Sequence, residues 1–261
     1  MSWQTQGIHI RGLDGIPEIK PGDDLGSEIL TSLSRMNPSG CQESASLGAA
    51  GTIFIVAQKV VSKSEDSMIP LNSIVPSPDA IEWARRHHKD PRMIEVVFRE
   101  SKRRIRMERG IVIAETQHGF ICANAGVDSS NAPEGWVILL PKDPDASAEC
   151  LRQQLQRALG VPVAVIIADT FGRPWRMGLT NVALGVAGLS PFLDYRGKVD
   201  SFGRPLRATV LAIADEIAAA AELVMGKTSR IPVAIIEGFK FNQTQGSARQ
   251  LIRPAEEDLF R

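Results

Sequence analysis

The run VPVAVIIADTFGR, residues 161–173, constrains the fold more than any other stretch of this chain. Val161 to Ile167 is apolar and mostly β-branched apart from one proline, which predicts a fully buried strand. Asp169 and Thr170 follow at once and Gly172 predicts a turn, so we expect the strand to stop abruptly there. In α/β folds, ligands gather at the carboxyl ends of strands, and two hard oxygen donors suit Mg²⁺ or Mn²⁺. A strand followed by a capped turn explains the same residues, so the run alone leaves both interpretations open.

Composition is that of an ordinary globular enzyme of 261 residues. Lys plus Arg and Asp plus Glu both number 30, so the net charge is zero and no global field favours nucleic acid or a membrane surface. The three cysteines form no CxxC pair, which argues against a disulfide framework or structural zinc and fits a reducing compartment. The apolar runs have the length of strands and the N-terminus resembles no signal peptide, so we expect a cytoplasmic protein without membrane spans.

Strand and helix signals are interspersed along the chain and predict a mixed α/β fold. Strands are expected at 7–11, 52–56, 111–114, 120–123, 136–140 and 231–236. Helices are expected after the caps at 77–79 and 90–91, from the PKDPDASAEC segment to about 158, and at 213–225, with a polar surface loop at 36–49. GVPVAVIIAD at 160–169 also resembles RIPVAIIEG at 230–238, which suggests two equivalent strands of one sheet or two related lobes.

A strongly basic run, Lys102 to Arg109, follows the helix predicted after Asp90-Pro91. The apolar residues expected near one face of that helix are Ile94, Val97, Phe98 and Ile105. The basic run is typical of a solvated helix end, where cations offset the helix dipole.

A second candidate site is NAGVDSSN, residues 124–131, which comes directly after a predicted strand. Gly126 permits a tight turn and Asp128 is a potential metal ligand, although an Asx-rich turn explains the same composition. If Asp128 and Asp169 converge, they form a carboxylate pair that is common in metal-dependent phosphoryl transfer. Lys59 or Lys63, close behind the strand at 52–56, could then neutralise a phosphate.

Other catalytic motifs are weak. Gly226-Lys227-Thr228 imitates the end of a phosphate-binding loop, but the upstream glycine is missing because position 221 is alanine, so we reject a Walker A motif. The four histidines have neither HExxH nor triad spacing, and no GxSxG elbow occurs, so a nucleophilic hydrolase is disfavoured.

Together the segments resemble one family over nearly the whole length: the coenzyme F420-0:L-glutamate ligases, the γ-glutamyl ligases of deazaflavin biosynthesis. The motifs that carry the resemblance are LDGIPEIKPGDDL, QKVVSKSE, ETQHGFICANAGVDSSN, LLPKDPDASA, ADTFGRPWRMG, ADEIAAAAELVMGK and GSARQLIRPAEEDLF. The tail is most similar to the bacterial branch, in the form without a nitroreductase-like extension. The resemblance implies an α+β, two-lobed ligase domain over 1–261 that forms an intertwined homodimer.

The resemblance also implies a reaction and its site. F420-0 is phosphorylated by GTP to an acyl phosphate, L-glutamate attacks it, and further glutamates join through γ-linkages, with Mg²⁺ or Mn²⁺ as cofactor. Asp128 and Asp169 are implied as catalytic metal ligands and Thr170 as a ligand of a second metal. Gln245 occupies a position where archaeal members have a metal-binding glutamate, which weakens that second site. The implied nucleotide-contacting residues are Ile16, Pro17, Glu18, Ile19, Gln58, Lys59, Lys63 and Asn131.

Two alternatives stay open at this stage. A related metal-dependent ligase could join an amino acid to a different carboxylate, and the neutral Gln245 motivates that alternative. A nucleotide-binding or F420-binding module with little ligase activity is the other.

Overall fold

The structure is a computed structural model that describes residues 7–36 and 51–259. Its strands are β1 His9–Leu13, β2 Thr52–Ala57, β3 Met68–Pro70, β4 Ser101–Glu108, β5 Ile111–Thr116, β6 Ile121–Ala123, β7 Trp136–Ile138, β8 Val163–Arg173, β9 Arg176–Ala187, β10 Leu193–Asp194, β11 Val210–Leu211 and β12 Val233–Glu237. Its α-helices are α1 Leu25–Met36, α2 Gln58–Ser64, α3 Pro78–His87, α4 Pro91–Glu100, α5 Pro144–Leu159 and α6 Ile213–Met225. The predicted mixed α/β fold is confirmed. The loop predicted at 36–49 lies outside the described residues, apart from residue 36, which ends α1.

A five-stranded sheet in the order β1-β12-β2-β8-β9 forms the centre of the molecule. Only β2 and β8 are parallel neighbours in it, and the other adjacent strands are antiparallel. One face packs on α1 and α5 through residues such as Leu25 and Leu155, and the other packs on α6 through Ile217 and Ala221. Because both faces are covered, β2 and β8 can be almost continuously apolar, as their sequences predicted.

A separate core lies under the smaller sheets. The antiparallel sheet β4-β5-β6 and the pair β3-β7 enclose a cluster with α4 that contains Val96, Val97, Val112 and Val137. The helix caps here follow the sequence: Ser77 Oγ accepts from the N–H of Ala80 at the start of α3. Among the described residues, no helix is both long enough and apolar enough to cross a bilayer.

The expected end of the strand at Asp169-Thr170 is wrong. β8 continues to Arg173 and pairs with β9 as far as Arg173 opposite Arg176, with an irregularity after Gly172. The pairing of β8 with β2 does stop at Ala168, so the sheet narrows there. The strand persists because β9 continues to supply backbone hydrogen bonds after β2 has ended.

The helix predicted to run toward Ile105 is also shorter than expected. α4 ends at Glu100, and the basic run forms the edge strand β4, so Ile105 lies on a strand rather than on the helix face. Lys102 and Arg103 bind Glu115 on the neighbouring β5 at 3.0 and 3.1 Å. Cross-strand pairing with a buried acid therefore outweighs helix propensity, and the basic side chains protect an exposed sheet edge.

The two similar segments at 160–169 and 230–238 form equivalent strands of one sheet. β8 and β12 flank β2 on opposite sides, and they run in opposite directions because β12 is antiparallel to β2. Both are fully buried where they contact β2, which accounts for their common apolar sequence.

Candidate active site

The candidate site lies at the carboxyl ends of the parallel pair β2 and β8. Their pairing stops with Ala57 opposite Ala168, so the next residues of both strands lie at the same edge of the sheet, although β8 continues there paired with β9 alone. β2 leads directly into α2, whose second residue is Lys59, and β8 leads to Asp169. The geometry is the usual one for ligand sites in α/β sheets.

Asp128 is brought to this edge by a constrained turn. Asn124, Ala125 and Gly126 all have left-handed backbone angles, with φ of 53°, 52° and 76°. A Cβ on Gly126 would meet the side chain of Leu140 at 2.7 Å, so only glycine fits there without displacement. Asp128 then exchanges two backbone hydrogen bonds with Ile138, of 3.1 and 2.8 Å. These contacts fix the position from which the carboxylate projects.

The carboxylate of Asp128 is held by a lysine and by its own turn. Lys59 Nζ lies 2.6 Å from Asp128 Oδ2, and Ser130 donates its N–H and its hydroxyl at 2.7 and 2.8 Å. Burial raises the pKa of Asp128, but the hydrogen bonds from Lys59 and Ser130 outweigh it and hold the pKa below its ordinary value. The Asx-turn interpretation is therefore correct as a description of the backbone, and the same turn presents an ionised carboxylate.

Asp169 has the opposite electrostatic environment. Burial, with a further contribution from the charge of Asp128, raises the pKa of Asp169 to about 6, although the Thr170 N–H and Lys59 act to lower it. Burial and the charge of Asp169 in turn raise the pKa of Cys122 to about 12. Asp128 and Asp169, at this edge of the sheet, can therefore carry more negative charge than Lys59 neutralises.

This donor set fits one divalent cation. Carboxylates are the hard oxygen ligands that Mg²⁺ and Mn²⁺ prefer, and because the charge of Asp128 disfavours ionisation of Asp169, a cation between the two would offset the cost of ionising Asp169. Within residues 7–36 and 51–259, no three His, Cys, Asp or Glu side chains cluster closely enough to hold a metal by themselves. A phosphate or water oxygen would have to complete the coordination, which is usual for Mg²⁺.

Thr170 faces a different set of groups, because neighbouring residues of a strand point to opposite sides. Its hydroxyl donates to Asn181 Oδ1 at 2.7 Å and accepts from Lys227 Nζ at 2.5 Å. Glu222 closes the ring: its carboxylate accepts from Asn181 Nδ2 at 3.0 Å and lies 2.8 Å from Lys227 Nζ. A second divalent cation at Thr170 does not fit this arrangement, because the Lys227 ammonium binds the hydroxyl and also neutralises Glu222, the carboxylate of this ring.

Sequence reasoning missed Lys227, Asn181 and Glu222. The only signal was Gly226-Lys227-Thr228, which fails as a Walker A motif but does mark the lysine that reaches the site. Nothing in the sequence links position 227 to position 170, since the contact depends on how α6 crosses the sheet.

Gln245 is exposed, and the residues that follow it pack against the end of β9 and the start of α5. Its neighbour Gly246 packs against the backbone carbonyl of Leu189, and Ser247 donates to Asp145 at 2.5 Å. Asp145 also accepts the N–H of Val186, which is five residues along β9 from the Asn181 that pairs with Thr170.

The predicted nucleotide segment lies against α2. Ile19 is buried and Ile16 packs on the same core, so they anchor the loop and leave Pro17 and Glu18 exposed between them. Lys63 is 6% exposed and forms an ion pair with Glu18. The structure therefore brings this loop to the helix that carries Lys59.

The other two predicted nucleotide contacts differ in accessibility. Gln58 is buried, and its amide donates to Ser62 Oγ at 2.6 Å and to the carbonyl of Leu139 at 2.8 Å. Asn131 is exposed in the turn after Asp128, with a left-handed φ of 57°. Of these two, only Asn131 presents a side chain whose surroundings are open.

A cavity of about 220 Å³ adjoins the extended part of β8. Its lining includes Phe171, the residue after Thr170, together with Phe120, Val182, Leu251 and Ile252. The cavity offers a mainly apolar surface beside the charged groups.

The fold and this cluster of acids and lysines define a class: a mixed α/β enzyme with its charged candidate site at the edge of the central sheet. Comparison with known proteins makes the class specific. The profile of the family described as F420-0:Gamma-glutamyl ligase matches residues 15–238, and the chain belongs to that family. It is therefore an enzyme of the ligase type.

The similarity between this chain and its relatives extends over most or nearly all of the chain. The chain is 43% identical over 258 residues to the coenzyme F420:L-glutamate ligase of Methanothermobacter thermautotrophicus, covering 98% of this chain and 99% of the relative. It is 44% identical to the proteins of the same name from Methanopyrus kandleri, over 94% of both chains, and Methanocaldococcus jannaschii, over 81% and 85%. The resemblance inferred from the motifs is confirmed, while the likeness of the tail to the bacterial branch stays a prediction.

Proposed function

We propose that this protein is a GTP-dependent ligase that joins L-glutamate to coenzyme F420-0. The observation that carries the proposal is the meeting of Asp128, Lys59 and Asp169 at the ends of β2 and β8, in a member of the γ-glutamyl ligase family. The names of the relatives supply the substrate and the amino acid.

The proposed reaction has two steps. A carboxylate oxygen of F420-0 attacks the γ-phosphorus of GTP, and the bond from that phosphorus to the β–γ bridging oxygen breaks. GDP departs, and F420-0 now carries an acyl phosphate. The amine of L-glutamate then attacks the acyl carbon, the C–O bond to phosphate breaks, and one proton is released. The products are the amide, GDP and inorganic phosphate, and each further round adds a glutamate through a γ-carboxylate.

The residues suit a reaction between anions. Asp128 and Asp169 would hold one Mg²⁺ or Mn²⁺, which supplies positive charge where negative charge accumulates during phosphoryl transfer. Lys59 contributes a fixed cation beside Asp128, and Lys63 and the exposed Asn131 are proposed nucleotide contacts. Ile16 and Ile19 would hold Pro17 and Glu18 in place against the nucleotide. Gln58 would act indirectly, through the backbone of Leu139, whose carbonyl accepts a hydrogen bond from its amide.

The reaction as proposed requires no covalent enzyme intermediate. Cys122 lies near Asp169, but its pKa of about 12 keeps the thiol protonated near neutral pH, so it is a poor nucleophile. Direct transfer between bound substrates fits these surroundings.

The test is incubation of the protein with F420-0, L-glutamate, GTP and Mn²⁺, followed by mass spectrometry. Products heavier by whole glutamyl units are expected, and they should disappear with Asp169→Asn. An arm with ATP decides the nucleotide, and arms with other carboxylates decide the acceptor. No glutamylated product, with a known ligase active in parallel, would refute the proposal.

We also propose that the protein forms a homodimer through the β8–β9 hairpin. The support is an apolar tip: Met177 is 98% exposed, Trp175 78% and Leu179 69%. Met177→Arg should shift the mass measured by light scattering toward a monomer. Leu223→Arg, on an exposed position of α6, is the matched control and should leave the mass unchanged.

A further inference from the structure

The surroundings of Thr170 differ from those of the Asp128–Asp169 pair in their balance of charge: Lys227 faces one carboxylate, Glu222, whereas Lys59 stands beside two, Asp128 and Asp169. Lys227 Nζ is within 2.5 Å of the Thr170 hydroxyl and 2.8 Å of Glu222 Oε1. The hydroxyl proton is committed to Asn181, which is buried with 4% of its surface exposed. Three elements, β8, β9 and α6, therefore fix these groups around the ammonium.

A divalent cation bound to the Thr170 hydroxyl would have to displace that ammonium or lie beside it. Mg²⁺ binds oxygen at about 2.1 Å, so the two cations would be in near contact and would repel strongly. The nearest carboxylate, Glu222, is already shared between Lys227 and Asn181. The oxygen donors that could build a second metal site here are thus neutralised by the chain itself.

We propose that the ammonium of Lys227 takes the place of a second divalent cation, so that the protein binds one divalent cation per chain, at Asp128 and Asp169. The charge of Lys227 also acts on Asp169. Phosphates bound at a cation on Asp128 and Asp169 would therefore lie within the influence of the Lys227 ammonium as well. This inference rests on the proposed function for the cation at Asp128 and Asp169 and for the identity of the nucleotide.

The experiment counts bound Mn²⁺ by electron paramagnetic resonance, which detects the free aquo ion, during titration of the metal-free protein with a non-hydrolysable GTP analogue present. Wild-type protein should bind one Mn²⁺ per chain. Binding of two, or of none, would overturn the inference. Because the count needs no turnover, it is separate from the glutamylation assay, which tests the ligase function alone.

Lys227→Glu removes the ammonium and adds a carboxylate beside Glu222 and Thr170, so it should raise the count to two Mn²⁺ per chain. Lys227→Met tests the loss of charge alone, and its count should stay at one with weaker binding of the analogue. Lys240→Glu is the matched control: Lys240 is exposed and follows β12 at the opposite end of the sheet, so its count should stay at one. A count of one for Lys227→Glu, in protein with the wild-type circular dichroism spectrum, would show that Lys227 does not exclude a second ion.

Discussion

Asp169→Asn should stabilise the metal-free protein at neutral and alkaline pH. The native environment disfavours the ionised carboxylate and raises its pKa from 3.8 to about 6. At about 1.4 kcal/mol per pKa unit, this shift corresponds to an upper limit of roughly 3 kcal/mol of unfolding free energy. Asparagine has nearly the same shape without the charge, so we expect a gain of about 1–3 kcal/mol at pH 8.

The sign of the pH dependence follows from proton binding. Between pH 3.8 and about 6 the folded protein holds a proton on Asp169 that the unfolded chain has released, so folding of the wild type weakens as pH rises through this window. The advantage of Asp169→Asn should therefore be full at pH 8 and shrink as pH falls below about 6. Urea denaturation in EDTA at pH 8 and pH 5 measures both values.

Asp128→Asn is the matched control with the opposite sign. The pKa of Asp128 is lowered in the folded protein, so removing its charge should reduce stability at pH 8. Added Mn²⁺ should stabilise the wild type and neither variant, because each lacks one ligand of the proposed site. If Asp169→Asn were less stable than the wild type at pH 8 in EDTA, our account of the charge balance would be incorrect.

Three further perturbations test other parts of the structure. Gly126→Ala should destabilise the protein by about 2–4 kcal/mol in urea denaturation, because the position combines a left-handed φ with a steric clash. Gly135→Ala is the control: the position has the same φ but open space around it, so the change should cost about 1 kcal/mol. Equal costs for the two variants would contradict this account. Glu95, whose pKa is lowered to about 2 by hydrogen bonds at the start of α3, supplies stability above pH 4.5 that is lost as pH falls toward 2. Glu95→Gln should therefore cost about 2 kcal/mol at pH 7 and progressively less below pH 4.5, and a constant cost would argue against the charge as its source. Lys59→Met should lower kcat/KM for GTP about 100-fold in initial-rate assays, because it removes the cation beside Asp128, and an unchanged value would exclude Lys59 from the site.

Much of the secondary structure could be predicted because its signals are local. Caps such as Ser77 and Asp90 act on backbone groups two or three residues away, and the structure has helices at both. The basic run after Glu100 could not be assigned in this way. Its conformation depends on Glu115, on a strand whose alignment with the run is set by tertiary pairing.

Some features of the candidate site could likewise be predicted from local sequence, and others could not. The carboxylates Asp128 and Asp169 lie in the two motifs that the sequence marks as candidate sites, and parallel pairing of β2 and β8 brings Lys59 to the same edge. The partners of Thr170 could not be predicted, because they lie 11 and 57 residues away on β9 and after α6. The packing of Gly246, the residue after Gln245, against the backbone of Leu189 was likewise not predictable from either segment alone.

The sequence alone determined which segments are buried strands, where helices begin, and to which family the chain belongs, because apolar periodicity, capping chemistry and motif order are all written in consecutive residues. Only the tertiary structure decided that β8 runs on past Asp169, that two similar strands run in opposite directions, and that Lys227 reaches Thr170. The physical reason is that side-chain contacts across a sheet depend on register and on helix crossing, and neither is fixed by any short stretch of sequence.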